Sequence, residues 1–210
     1  MDEFLQGNYE SAVHGFRRFL KHAPNDFNGH YLLGHCLRQL GDLDGALESY
    51  EQAVRINPKS VDARIYAGRL HQQKKDYPSA VLHYEKALEV LPDDCETLVL
   101  MGMVRHEKGD YDGAVEWCGR ALSIDEGRVD AHRAIAMAYR KKDQSALAVK
   151  HFDRALMLDP DDALTHYEYG IMLLNNGDLV KAAARFSKAL ELKPDFEAAL
   201  DGLKKSGGKR

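Results

Sequence analysis

The stretch "HYLLGHCLRQLGDLDGALESYEQAVRINP", residues 30–58, decides how this chain folds. Leu33 and Leu37 stand four apart with Gly34 between them, a spacing that places both leucines on one face of a helix. "LGD" at 40–42 then supplies a turn glycine and an aspartate suited to cap a following helix. Ala46, Tyr50, Ala53 and Val54 make a second stripe, and Pro58 stops it. The spacing predicts helices over 27–39 and 43–56. Small residues let the two approach closely, and the aromatic four residues after Ala46 fills the space between them. One helix pair cannot bury such a face alone, so neighbours must stack on it.

The pattern returns every 34 residues in both directions. Pro24, Pro58, Pro92, Pro160 and Pro194 fall on this period, and the one gap in the series is centred on Glu126. Pro78 lies outside it, in the first turn of a predicted second helix, where a missing N–H costs little. Ala12, Ala46, Ala80, Ala114, Ala148 and Ala182 form a column, and four residues on stand Phe16, Tyr50, Tyr84, Cys118, Phe152 and Phe186. A further column reads Gly34, Gly68, Gly102, Ala136 and Gly170.

These residues resemble the tetratricopeptide repeat, a helix–turn–helix unit with the pattern W-x2-L-G-x2-Y…A-x3-F…P. Here it reads His30-x2-Leu33-Gly34-x2-Leu37…Ala46-x3-Tyr50…Pro58, and again His166-x2-Tyr169-Gly170-x2-Leu173…Ala182-x3-Phe186…Pro194. The resemblance implies an all-α fold, a right-handed superhelical α-solenoid of stacked helix–turn–helix repeats. Five full units are expected at 27–60, 61–94, 95–128, 129–162 and 163–196. A partial N-terminal repeat precedes them at 1–26, a C-terminal capping helix follows at 197–206, and 207–210 are expected to be a flexible tail. The tryptophan column departs from the pattern with His30, Arg64, Leu98, His132 and His166, and the tyrosine column includes His71 and Arg105. Looser packing is expected there, with arginine stems covering apolar surface.

Composition narrows the function. The chain has 210 residues, 44% hydrophobic and 30% charged, with a net charge of −4. That suits a folded chain and gives no basic face for nucleic acid. No apolar run reaches the length of a membrane span, and "MDEFLQGNYE" at the N-terminus lacks the features of a signal peptide. Cys36, Cys95 and Cys118 are scattered and odd in number, which favours a reducing compartment, the cytoplasm, over a disulfide framework or zinc site.

No catalytic site, metal site or cofactor is expected. The ten histidines include no HExxH and no pair four apart on a helix. His30, His132 and His166 share one packing column, while His14, His83 and His151 are expected on the surface or rim of second helices. The carboxylates of "DPDD" (159–162) and "PDD" (92–94) recur at helix starts, where capping explains them better than calcium does. Cys118 stands in the aromatic column and reads as a buried small hydrophobe rather than a nucleophile.

By the same resemblance, the first helix of each unit lines a concave groove that holds extended or helical segments of partner proteins. The groove positions are Asn28, Tyr31, His35 and Arg38; Ile65, Arg69 and Gln72; Val99, Met103 and His106; Arg133, Met137 and Arg140; and Tyr167, Ile171 and Leu174. Ile65, Val99, Met103 and Met137 are expected to form an apolar strip, with Arg69, Arg133, Arg140 and Lys141 flanking it in positive charge. The expected partner is a protein segment with apolar anchors and acidic flanks. Two family specialisations are not matched. Tyr31, His35, Ile65 and Arg69 stand where carboxylate-clamp repeats carry lysine and asparagine, and no asparagine ladder appears in the groove columns.

The function that follows is a non-catalytic protein–protein interaction scaffold. One alternative is the interaction module of a larger enzyme or secretion machine, favoured by a chain that opens midway through a helix pair. Another is self-assembly through the stack ends, where Phe4 and Leu5 lack a partner. The joint "SIDEGRVDAH", 123–132, replaces the proline with Glu126 and follows it with Gly127. Glycine's backbone freedom makes this the joint expected to adjust most.

Overall fold

The computed structural model describes residues 7–208, and among them every helix or strand assigned is an α-helix. α1 (Tyr9–Leu20), α2 (Phe27–Gln39), α3 (Leu43–Ile56), α4 (Val61–Gln73) and α5 (Tyr77–Val90) lie in a first compact unit that ends at Thr97. α6 (Cys95–Glu107) crosses the division. The second unit continues through α7 (Tyr111–Ile124), α8 (Val129–Lys141), α9 (Ser145–Leu158), α10 (Ala163–Asn175), α11 (Leu179–Leu192) and α12 (Glu197–Lys205). α2 and α3 occupy the residues that the opening stretch assigns to helices. Phe4 and Leu5 lie outside the described residues.

Helix pairs form because two columns interlock. Tyr50, Tyr84, Cys118, Phe152 and Phe186 are all fully buried. A Cβ added at Gly34 would stand 2.8 Å from the Tyr50 ring, one at Gly68 2.5 Å from Tyr84, and one at Gly170 2.7 Å from Phe186. These distances leave no room for a side chain, so glycine sets how closely the first helix of each pair lies on the second. Gly202 of α12 meets the Phe186 ring in the same way at 2.6 Å, which closes the second core.

The turn inside each pair is equally regular. Gly41, Lys75, Gly109, Asp143 and Gly177, each 34 residues after the last, have φ between 56° and 81°. Glycine reaches this left-handed region without strain, while Lys75 and Asp143 are held there against their own preference. The next residue then caps the second helix. Asp42, Asp76, Asp110 and Asp178 accept from the N–H groups of Gly45, Ser79, Gly113 and Lys181. Asp26, Ser60, Asp94 and Asp162 do the same for first helices, so "PDD" and "DPDD" end in capping residues.

The tryptophan column is better anchored than the sequence reading expects. His30 Nε2 donates to the Pro24 carbonyl at 2.9 Å, Arg64 Nε to Pro58 at 2.8 Å, and His166 Nε2 to Pro160 at 2.9 Å. Each residue reaches six positions back and ties its helix to the preceding joint, in place of the looser packing expected.

Gly127 does not use the backbone freedom peculiar to glycine. Its φ is not in the left-handed region, and its N–H donates to Asp125 Oδ1 at 2.9 Å. Lys59 bonds to Asn57 and Asp161 to Asp159 in the same way, so the joint without proline is the ordinary turn. What sets this repeat apart is capping: neither Arg128 before α8 nor Gln144 before α9 makes a side-chain cap hydrogen bond. The expected tail at 207–210 is described only in part. Gly207 N and Gly208 N donate to the carbonyls of Lys204 and Leu203, closing α12 through a left-handed glycine; residues 209–210 lie outside the described residues.

Gln144→Asp is expected to raise stability by about 1 kcal/mol by supplying the absent cap. Gly170→Leu is expected to lower it by about 1–3 kcal/mol through overpacking against Phe186. Both are read from urea unfolding midpoints. Amide exchange at 125–132 is expected to outpace that at 57–64.

Candidate functional site

In the first unit the predicted groove residues pack largely on one another. His35 meets Tyr31 edge-on at 4.6 Å and Tyr66 at 4.5 Å, while Tyr66 stacks on buried Tyr50 at 5.3 Å. The Arg38 guanidinium lies over Tyr66 at 5.7 Å. Burial raises the Tyr31 hydroxyl to about 12 and lowers His35, so both rings are uncharged near neutrality. Ile65 is only 5% exposed and belongs to the interior rather than to an open strip. Asn28 is exposed, and Gln72 accepts from the Tyr84 hydroxyl at 3.0 Å.

In the second unit Val99, at 2% exposure, is likewise interior. Met103 of α6 and Met137 of α8 are half-buried and share one depression with His106, Glu107, Arg133 and Ala134. Burial, reinforced by the Arg140 and Lys141 charges, lowers His106 and leaves it neutral. Tyr167, Ile171 and Leu174 of α10 pack at the edge of the second core, with Tyr167 against Phe196 at 4.8 Å. The expected four-residue strip therefore reduces to Met103 and Met137.

The expected positive flank needs a larger correction. Arg69 pairs with Glu96 at 2.5 Å, Arg133 with Asp162 at 2.5 Å and Arg140 with Glu168 at 3.1 Å. Each bond runs from one first helix, or the residue capping it, to the next, so these charges hold neighbouring repeats together. The Arg140–Glu168 pair is the most enclosed, its side chains 14% and 13% exposed. Burial pushes the Glu168 carboxyl up, against the opposing effect first of Arg140 and then of Arg133 and Lys141. The sequence reading missed Glu168 as a functional group. The signal was its column, which otherwise reads Leu32, Tyr66, Leu100 and Ala134.

The residues weighed for chemistry sort differently. Cys118 is fully buried and its thiol is pushed up to about 12, an inert packing group. His14 is exposed as expected, but His83 is buried and His151 half-buried. His151 Nδ1 lies 3.0 Å from His132 Nδ1, and burial, followed by the His132 charge, lowers His151 to about 4. Glu51, His71 and His83 meet on three successive helices of the first unit, offering one carboxylate oxygen and two ring nitrogens to a common point. Among the described residues no helix is long and apolar enough to cross a membrane.

Helix pairs of one length, most of them interlocked by glycine and an aromatic, define an all-α helical-repeat protein. Residues 4–126 match the family model of the cytochrome c-type biogenesis protein H TPR domain, and residues 133–195 match a tetratricopeptide repeat model. The chain belongs to the tetratricopeptide repeat family. The solved structure of MamA superposes with a TM-score of 0.71 at 24% identity, over 77% of this chain and 95% of that one. YrrB, described as a TPR protein with an unusual peptide-binding site, gives 0.60 at 22%, over 91% and 99%. A tetratricopeptide repeat protein from Parabacteroides merdae ATCC 43184 gives 0.72 at 18%, over 99% and 95%. At these identities the likeness is one of fold. No curated protein matches the chain.

Glu168→Ala is expected to cost about 3 kcal/mol by stranding Arg140, and the double variant Arg140→Met/Glu168→Leu to recover most of it, as denaturant midpoints will show. The His132–His151 contact gives stability a pH dependence. The folded value of His151 lies below the ordinary 6.5, so the unfolded chain binds the proton more readily. Its contribution is full above about 6.5 and is lost as pH falls toward about 4. His151→Gln is expected to flatten the unfolding midpoint between pH 7.5 and 5.

Proposed function

We propose that this protein is a non-catalytic protein–protein interaction scaffold, binding an extended or helical segment of its partner through apolar anchors. The observation that carries the reading is the depression around Met103 and Met137, two adaptable side chains half-open on first helices of the second unit. The peptide-binding site named for YrrB is in keeping with it. Arg133 and Arg140 are already engaged by Asp162 and Glu168, so an acidic flank on the partner would have to displace a carboxylate. Recognition therefore rests on the apolar anchors. The inert state of Cys118 favours a non-catalytic role, and cytoplasmic residence fits the buried thiols of Cys36 and Cys118. The alternative of a module within a larger enzyme or assembly machine uses the same surface.

The test is affinity capture from cell extract with the full chain and with Met103→Glu and Met137→Glu variants, compared by quantitative mass spectrometry. Loss of the same partners by at least tenfold from both variants, with unchanged circular dichroism, is the expected result. Undiminished capture by both would move the binding surface elsewhere.

A further inference from the structure

His71 is one of the residues by which the chain departs from the repeat pattern, and its surroundings give it a use. Its Nδ1 donates to Asp76 Oδ2 at 3.0 Å, and Asp76 is held in place by capping α5 through the Ser79 N–H. With that proton committed, Nε2 of the neutral ring carries a lone pair. Yet Nε2 faces Glu51 Oε1 at 3.1 Å. Two acceptors at this distance need a cation between them, either a proton or a metal ion.

A second imidazole points at the same oxygen. His83 Nε2 lies 2.9 Å from Glu51 Oε1, and the two rings are stacked at 5.4 Å with 21° between their planes. The three donor atoms all lie within 4.8 Å of one another. Zinc bonds to nitrogen and carboxylate oxygen near 2.0–2.1 Å, so neighbouring ligands of a tetrahedral ion stand roughly 3.3 Å apart. The two contacts here would open by only a few tenths of an ångström.

We propose that Glu51, His71 and His83 form a binding site for a divalent transition-metal ion, zinc foremost. One carboxylate and two imidazole nitrogens match that ion's donor preference and leave a fourth position for water or a partner side chain. Asp76 orients His71 as an outer carboxylate orients a ligating histidine. The ligand side chains are 29%, 16% and 9% exposed, so the site is shielded yet reachable from the depression it shares with Arg64, Leu82 and Lys86. The two nearby cations have partners of their own: Lys86 binds Glu89, and Arg64 Nε donates to Pro58. The metal would pin α3, α4 and α5 together from the side chains of three successive helices.

The experiment uses the full, tag-free chain, stripped with chelator. Zinc is titrated by calorimetry, and cobalt by the visible bands of its tetrahedral complexes. One ion per chain with a tetrahedral cobalt spectrum and a raised melting temperature is the expected result. His71→Gln and His83→Gln should each weaken uptake at least tenfold. Asp76→Asn, which keeps the cap but loses the carboxylate, should weaken it about tenfold to a hundredfold. Circular dichroism of the metal-free variants separates loss of ligand from loss of fold, and Glu51→Gln, which still accepts from His83, provides a second route if either histidine variant unfolds. Absence of saturable uptake, or uptake unchanged in the His71 and His83 variants, overturns the proposal and leaves a proton-bridged network.

Discussion

The structure depends on the contact between a backbone stripped of its side chain and the ring opposite it. Where Gly34 meets Tyr50, Gly68 meets Tyr84 and Gly170 meets Phe186, an added Cβ would lie within 2.8 Å of ring atoms. Closeness there lets the ring be wholly buried, and the buried ring fixes the separation of the two helices. The pair then presents a constant face to its neighbour, so one contact repeated at a fixed interval builds a core in each unit. Two repeats depart from it: Gly102 faces the Cys118 sulfur in place of a ring, and Ala136 stands where the others have glycine. Ala136 carries a methyl group where the others carry none, and Phe152 is nevertheless fully buried.

The joints rest on a simpler device. A side chain from the column that holds tryptophan in the family reaches back six residues and bonds to the backbone of the preceding turn. Histidine and arginine can both do this, because each offers an N–H at the end of a planar group. That explains how His30, Arg64 and His166 serve one purpose despite their different chemistry. Proline at the joint is not essential to the turn, since Gly127 N donates to Asp125 Oδ1 as Lys59 N does to Asn57 Oδ1.

The period, the helix pairs and most caps were legible in the sequence because they depend on residues within one repeat. Groove chemistry was less so. Arg133 and Arg140 look like free cations in the sequence, but their partners Asp162 and Glu168 lie 29 and 28 residues away, beside them only once the repeats stack. Ile65 and Val99 look like groove anchors by column, yet both are buried in the interior. Glu51 and His83 are 32 residues apart, and no local motif joins them.

The enclosed pair of Arg140 and Glu168 has a consequence for regulation. Burial already makes Glu168 a weaker acid than an ordinary glutamate. A ligand anion that took Arg140 for itself would leave this carboxylate without its counter-charge, and the carboxylate would then favour taking up a proton. Such binding would be coupled to proton uptake and would strengthen as the surroundings became more acidic. It would also loosen α8 from α10, so occupancy of the surface and stiffness of the stack would draw on one shared free energy.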